Sequence, residues 1–325
     1  MKGFFLSTLF LLFCNAEFEY CFASQLPTIQ RKDTIIVARD GTGDFRNISE
    51  AVENIRAFMD YTVTVLIKNG TYKEKLVVPS WLKNVRFIGQ DEYKTVITYD
   101  DHANIDKMGT FRTYTLKVEG SDITFSNLTI ENNAPRLGQA VALHTEGDRL
   151  IFTHCRFLGN QDTVYTGAEA TRLYFSDCYI EGTTDFIFGP STALFERCDI
   201  YSKINSYVTA ASTPKGVAYG YVFKDCKLTA APDVTKVYLG RPWRPYAATV
   251  FINCELGKQI CPAGWFNWSN PVNEKTARYA EFGCTGEGAD TSARVKWARV
   301  LSKKEVAQYT MKNIFSHCSE WNPQQ

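Results

Sequence analysis

Between residues 125 and 256 the chain repeats one short pattern of apolar and polar positions: a Phe, two mostly polar residues, a Cys, a polar residue and an apolar one. Five copies carry the cysteine: Phe152-Thr-His-Cys155-Arg-Phe157, Phe175-Ser-Asp-Cys178-Tyr-Ile180, Phe195-Glu-Arg-Cys198-Asp-Ile200, Phe223-Lys-Asp-Cys226-Lys-Leu228 and Phe251-Ile-Asn-Cys254-Glu-Leu256. A sixth, Phe125-Ser-Asn-Leu128-Thr-Ile130, has Leu in its place. Successive Phe residues lie 27, 23, 20, 28 and 28 positions apart. That is a variable period in the range of solenoids, where each repeat buries its apolar face only against its neighbours. Two residues after the Phe stands an Asn or Asp in most copies. These suit a tight bend, because the side chain can bond nearby backbone and the residue tolerates left-handed dihedrals. Past the bend, Cys and the apolar residue two further on share one face of a strand while the residue between them faces out. Short, β-rich, turn-broken segments predict an all-β solenoid, a parallel β-helix, rather than stacked helical repeats.

In such a stack equivalent positions lie about 4.8 Å apart. The cysteines then form an internal ladder of small apolar side chains and are expected to be reduced. A sandwich of surface strands with paired cysteines is the rival reading. Cys261, Cys284 and Cys318 fall outside the repeat, and their pairing is left open. Two helices are expected to cap the ends. One begins near Asn47 or Ser49 and carries Ala51, Val52, Ile55, Phe58 and Met59 at helical spacing. The other starts at the capping box Ser302-Lys-Lys-Glu305 and continues through Val306, Tyr309, Ile314 and Phe315.

Lys2, a mostly apolar run from Phe4 to Phe13, and a polar stretch ending Cys21-Phe22-Ala23 predict a signal peptide over residues 1–23. The run falls short of the roughly 20 residues that span a bilayer. Residues 24–325 are expected to form one domain, exported and then secreted, periplasmic or wall-associated. Lys and Arg number 36 against 35 Asp and Glu, so no nucleic-acid footprint or polybasic membrane surface is expected. The four histidines, His102, His144, His154 and His317, fit no triad, no G-x-S-x-G elbow occurs, and metal spacings of the C-x-x-C or H-E-x-x-H kind are absent. No metal or other cofactor is expected.

The repeat phase points to chemistry. Asp162 lies seven residues after Cys155, and Asp185 seven after Cys178 in the next coil. Stacking sets their backbones about one rung apart. Two carboxylates that close do not both ionise easily, so the pair divides into a proton carrier and an anion. Counted back from the next ladder Phe, Gln139 and Asp162 share one offset, and Asp185 and Arg241 another. A long Arg241 side chain could hold Asp185 ionised and oriented. Whether the Gln161 amide reaches the same groove depends on loop geometry. Asp, Gln and Arg at solenoid corners also serve structure alone, and phase by itself leaves both readings open.

Five segments decide further. Gly70-Thr-Tyr-Lys-Glu74, Gly138-Gln-Ala-Val-Ala-Leu143, Gly159-Asn-Gln-Asp-Thr-Val-Tyr165, Gly182-Thr-Thr-Asp-Phe-Ile-Phe-Gly189 and Leu239-Gly-Arg-Pro-Trp243 resemble, in order, the signature segments of pectin methylesterases. The resemblance runs from Val37 to about Arg299. Asn160 stands where many members carry an aromatic residue, and Val164 where Leu is usual. The resemblance implies a right-handed parallel β-helix that hydrolyses the C6 methyl ester of galacturonate units in pectin, with methyl-esterified homogalacturonan as partner; the chain is expected to be a monomer. It implies Asp185 as nucleophile, Asp162 as acid and base, Gln139 and Gln161 as oxyanion donors, and Arg241 as the residue that orients Asp185. Phe188 and Trp243 are expected in the substrate groove. Tyr165, Trp265 and Trp268 belong either to the groove or to packing. A glycosidase, a calcium-dependent lyase and a binding module on the same fold are the rivals. The amide pair suits an oxyanion better than an oxocarbenium ion, and a binding module would be expected to have lost Asp162, Asp185 or Arg241.

Overall fold

The computed structural model describes residues 33–316 and 320–324; the predicted signal peptide, His317 and Cys318 lie outside them. Three parallel sheets run the length of the molecule as a parallel β-helix. The first has 11 strands from Thr34–Val37 to Arg299–Val300, the second 8 from Gly70–Lys73 to Glu255–Leu256, and the third 7 from Leu76–Val78 to Tyr238–Gly240. Each coil visits them in turn, as in Arg172–Ser176, Tyr179–Gly182 and Ile187–Gly189. Alternate side chains point inward, giving the buried–intermediate alternation of Val63–Ile67.

The repeated Phe residues stand in register through the first sheet, and Phe87 adds a rung before Phe125. Neighbouring rings stack at 4.5–5.3 Å between centroids with planes 7–14° apart. Each such stack contributes about 0.5–1.5 kcal/mol beyond the area it buries. The bend predicted two residues later is present: Asn127, His154, Asp177, Arg197, Asp225 and Asn253 all have φ between 50° and 55°. Past it the cysteines are free and buried. The Cys178, Cys198, Cys226 and Cys254 thiols donate to carbonyl oxygens of Phe152, Phe175, Phe195 and Phe223 one coil earlier. Cys284 belongs to this ladder, contrary to the sequence expectation, since its thiol donates to Phe251 O at 3.6 Å. Its copy was hidden because Glu281 replaces the Phe and Gly283 takes the left-handed bend, at φ 62°. Cys261 is free and buried.

The N-terminal helix is shorter than its pattern suggested. It spans Ile48–Glu53 and buries Ile48, Ala51 and Val52, while Phe58, at φ 54°, is 75% exposed. Its first amides donate to the Glu74 carboxylate from Ile48 (2.9 Å) and Ser49 (2.8 Å), so the Gly70–Glu74 segment caps a helix. At the other end Ser302 and Glu305 form the predicted capping box, but the helix stops at Val306 and a second runs Met311–Ile314. Leu301, Ile314 and Phe315 pack on Tyr174, Leu194, Val222 and Val250, the outward side chains of the first sheet. This segment therefore covers a sheet face. No helix among the described residues is long and apolar enough to cross a membrane.

Candidate active site

The side chains picked out by the sequence gather where the chain enters the third sheet. Strands Leu143–Thr145, Val164–Thr166 and Ile187–Gly189 pair in register, so counting back two residues puts Val141, Asp162 and Asp185 at one level. The amide of Asp162 donates to Thr184 O at 3.1 Å and that of Asp185 to Tyr207 O at 2.9 Å. The two aspartates are thus in phase, as the repeat predicted. Both adopt left-handed backbone, φ 67° and 50°, a conformation Asp tolerates better than most residues and one found at functional sites. Gly189, at φ 129°, closes the motif: a Cβ there would sit 2.2 Å from Thr166 O.

Gln139 and Arg241 reach the same place from other levels. Gln139 stands two residues before Val141, and Arg241 three after Tyr238, the partner of Tyr207. Equal offsets from the ladder Phe placed them in one row. The segments between the third and first sheets, four residues after Thr145, five after Thr166, two after Gly189 and seven after Gly240, break that row. Convergence comes from side-chain reach. Gln139, Gln161, Asp162, Asp185, Phe188, Arg241, Trp243 and Trp268 all line one cleft of about 220 Å³, joined by Thr110, Phe111 and Ala210.

Arg241 grips Asp185 bidentately, Nε to Oδ1 at 2.9 Å and a terminal nitrogen to Oδ2 at 2.6 Å. Its guanidinium lies between two rings, 3.9 Å from the Tyr207 centroid and 3.7 Å from that of Trp268. Such stacking suits a weakly hydrated planar cation and fixes the fork. Burial pushes the Asp185 carboxyl up, and the Arg241 hydrogen bonds and charge oppose it. Asp162 has no such partner, and its carboxyl makes no hydrogen bond to another described residue. Burial first, and the Asp185 charge second, hold it well above the usual carboxylate range, with Arg241 pulling weakly the other way. One carboxyl therefore keeps its proton where the other gives it up.

The aromatic residues divide. Phe188 is buried and packs edge-on against Trp243 at 5.9 Å, with Tyr165 tilted against it at 4.7 Å. Trp268 covers Arg241. Trp265 is core: 1% exposed, 4.5 Å from the Tyr279 ring, with its indole N–H donating to Glu281. The sequence reading missed Thr110, Phe111, Tyr207 and Ala210. Phe111 sits in an irregular excursion with no repeat to read. Ala210 is legible only from register, where it follows Tyr165 and Phe188 on the outer face.

A parallel β-helix brings two unequal carboxyls, a stacked arginine and two glutamine amides into one cleft. A family profile described as Pectinesterase matches residues 34–317. Pectinesterase 31 of Arabidopsis thaliana is 36% identical over 284 residues, covering 84% of this chain and 89% of that one. The solved pectin methylesterase from carrot superposes with TM-score 0.83 at 32% identity, covering 87% of this chain and 92% of that one. A pectin methylesterase solved in complex with a hexasaccharide gives TM-score 0.77 at 29% identity, covering 89% and 98%. Against relatives named as pectinesterase/pectinesterase inhibitor the chain spans about half their length, 54% in one case and 51% in another. The chain belongs to the pectinesterase family, carboxylic ester hydrolases that de-esterify pectin.

Proposed function

We propose that the cleft hydrolyses the C6 methyl ester of galacturonate units in methyl-esterified homogalacturonan, with Asp185 as nucleophile and Asp162 as acid and base. The observation that carries this reading is the unequal carboxyl pair: Asp185 clamped by Arg241, Asp162 buried without a counter-ion. The Asp185 carboxylate attacks the ester carbonyl carbon, and the oxyanion that forms lies within reach of the Gln139 and Gln161 side-chain amides. A donor in that role contributes about 3–4 kcal/mol. As the tetrahedral centre collapses, the methoxy group leaves with the Asp162 proton as methanol, and an anhydride links the sugar to Asp185. Water then gives a proton to the Asp162 carboxylate and attacks the sugar acyl carbon. Asp185 departs as carboxylate, Asp162 is protonated again, and the product is a free galacturonic acid that loses its proton to solvent.

The polymer also suits the cleft wall, where Phe188, Trp243 and Trp268 offer aromatic surface to sugar rings. We infer further that the chain is exported through residues 1–23 and acts as a monomer, since the cleft is completed by one chain. The test is methanol release from highly methylated pectin without added metal, beside Asp185→Asn, with reducing ends and unsaturated products followed in parallel. Methanol without scission, lost in the variant, is expected. Scission or unsaturated product would move the reading to a glycosidase or lyase.

A further inference from the structure

Gln139 stands on residues 133–142, a link from the second sheet to the third, and Thr110 and Phe111 stand on the same link one coil earlier, residues 100–115. The next two coils make this step with residues 159–163 and 183–186. Longer links have more freedom to lose on folding, so their shape must be imposed. Asn132 imposes it on both. It is 1% exposed at the end of strand Thr129–Asn132, at the level where continued register puts Gly159 and Gly182 in the following coils. Its amide nitrogen donates to Asp101 O and Thr113 O, each at 2.9 Å, and to Val141 O at 3.1 Å, while its amide oxygen accepts from Ala134 N at 3.0 Å. Two hydrogens serve three carbonyls, so one is shared. Asp101 and Thr113 lie near the two ends of the earlier link, and Val141 closes the base of the Gln139 loop. The two links are also tied to each other: Ala103 N donates to Gln139 O at 2.8 Å, and Val141 N to the Thr113 hydroxyl at 2.9 Å. Ala140 N donates to Gln161 O at 3.0 Å, which sets one glutamine backbone against the other.

An oxyanion donor contributes fully only if it is already aimed when the charge develops. We propose that Asn132 is a positioning residue for the reaction: by closing the Gln139 loop and pinning the earlier link against it, its amide holds the Gln139 side chain where the oxyanion forms. Asn132 touches no reacting atom and acts through Gln139. An Asp of the same shape could not replace it, since it would set an oxygen against three carbonyl oxygens. The inference rests on the oxyanion role of Gln139.

The test is a double-mutant cycle on kcat, per folded molecule, for methanol release from highly methylated pectin. Asn132→Ala should lower kcat about 10–100-fold, the scale of a small misplacement at a reacting centre, with the larger part of the loss in kcat rather than KM. Asn132→Ser keeps one donor and should lose less; it carries the cycle if Asn132→Ala does not fold. In a Gln139→Ala background the same substitutions should cost at most about threefold more, because independent effects multiply and effects that pass through one group do not. Glu281→Gln breaks a buried ion pair outside the cleft and should leave kcat unchanged, which separates lost stability from lost aim. An unchanged kcat in the Asn132 variants, a full repeat of their loss in the Gln139→Ala background, or an equal loss in Glu281→Gln overturns the proposal. A wild-type kcat in Gln139→Ala alone would instead sink the oxyanion role of Gln139, and this inference with it.

Discussion

Arg241 and Arg294 each hold a buried carboxylate with two contacts, at 2.6 and 2.9 Å on Asp185 and at 2.8 and 3.0 Å on Glu281. The surroundings differ. Glu281 also accepts from the Trp265 indole, and Arg294 spends further donors on Pro262 O and Gly288 O. That pair closes the Phe ladder where Glu281 falls opposite Phe251, with every polar group answered. Arg241 gives its hydrogen bonds to Asp185 alone and covers its faces with rings, and an uncompensated carboxyl, Asp162, stands beside the pair. A buried arginine–carboxylate pair is therefore no sign of function by itself. The group left short of a partner is the sign, because a buried ionisable group without one is costly and persists only where other interactions hold it.

Removing one carboxylate from each pair separates the two roles. Asp185→Asn should lower methanol release by roughly 10⁴–10⁶-fold, the range for a nucleophile acting as part of a unit. Glu281→Gln should leave turnover per folded molecule nearly unchanged and lower stability by about 3–5 kcal/mol, because Arg294 is left buried with a neutral partner. Initial rates and denaturant melts of both variants decide it. A large rate loss in Glu281→Gln without unfolding would erase the distinction.

The amides sharpen it at a smaller scale. Gln139→Ala and Gln161→Ala should each lower kcat by about 10²–10³-fold with KM little changed, as for loss of an oxyanion donor. Equal losses in kcat and in affinity for the de-esterified product would instead make them ground-state binders.

The fold was legible because the interior is periodic: Phe, bend residue and Cys recur at fixed offsets, and every bend took the left-handed backbone. Cys284 escaped because its coil trades the Phe for Glu281, whose partner Arg294 no local pattern reveals. In the site, Asp162 and Asp185 were legible as equal offsets from the ladder. Gln139 and Arg241 were found by counting that register does not support, since the segments leading from the third sheet to the next ladder Phe differ in length. Phe111 and Tyr207 were not legible at all. One comes from a loop outside the repeat, and the other matters only because Arg241 lies on its ring.

The smallest expected effect concerns the unmatched carboxyl. Because burial raises Asp162 well above its ordinary value, the folded chain binds that proton more tightly than the unfolded chain does. Its contribution to stability is complete below the unfolded value and is lost as pH rises through the folded one. Asn keeps the shape without the ionisation. Asp162→Asn should therefore be more stable than wild type at pH 8, by roughly 0.5–2 kcal/mol, while the two converge near pH 4. Thermal melts at the two pH values measure the gap, and methanol release from the same samples should be lost at both. Asp185→Asn should gain nothing at pH 8, since it strands Arg241. Matching midpoints for Asp162→Asn and wild type at pH 8 would show the carboxyl is not strained there, and the asymmetry between the two aspartates would need another cause.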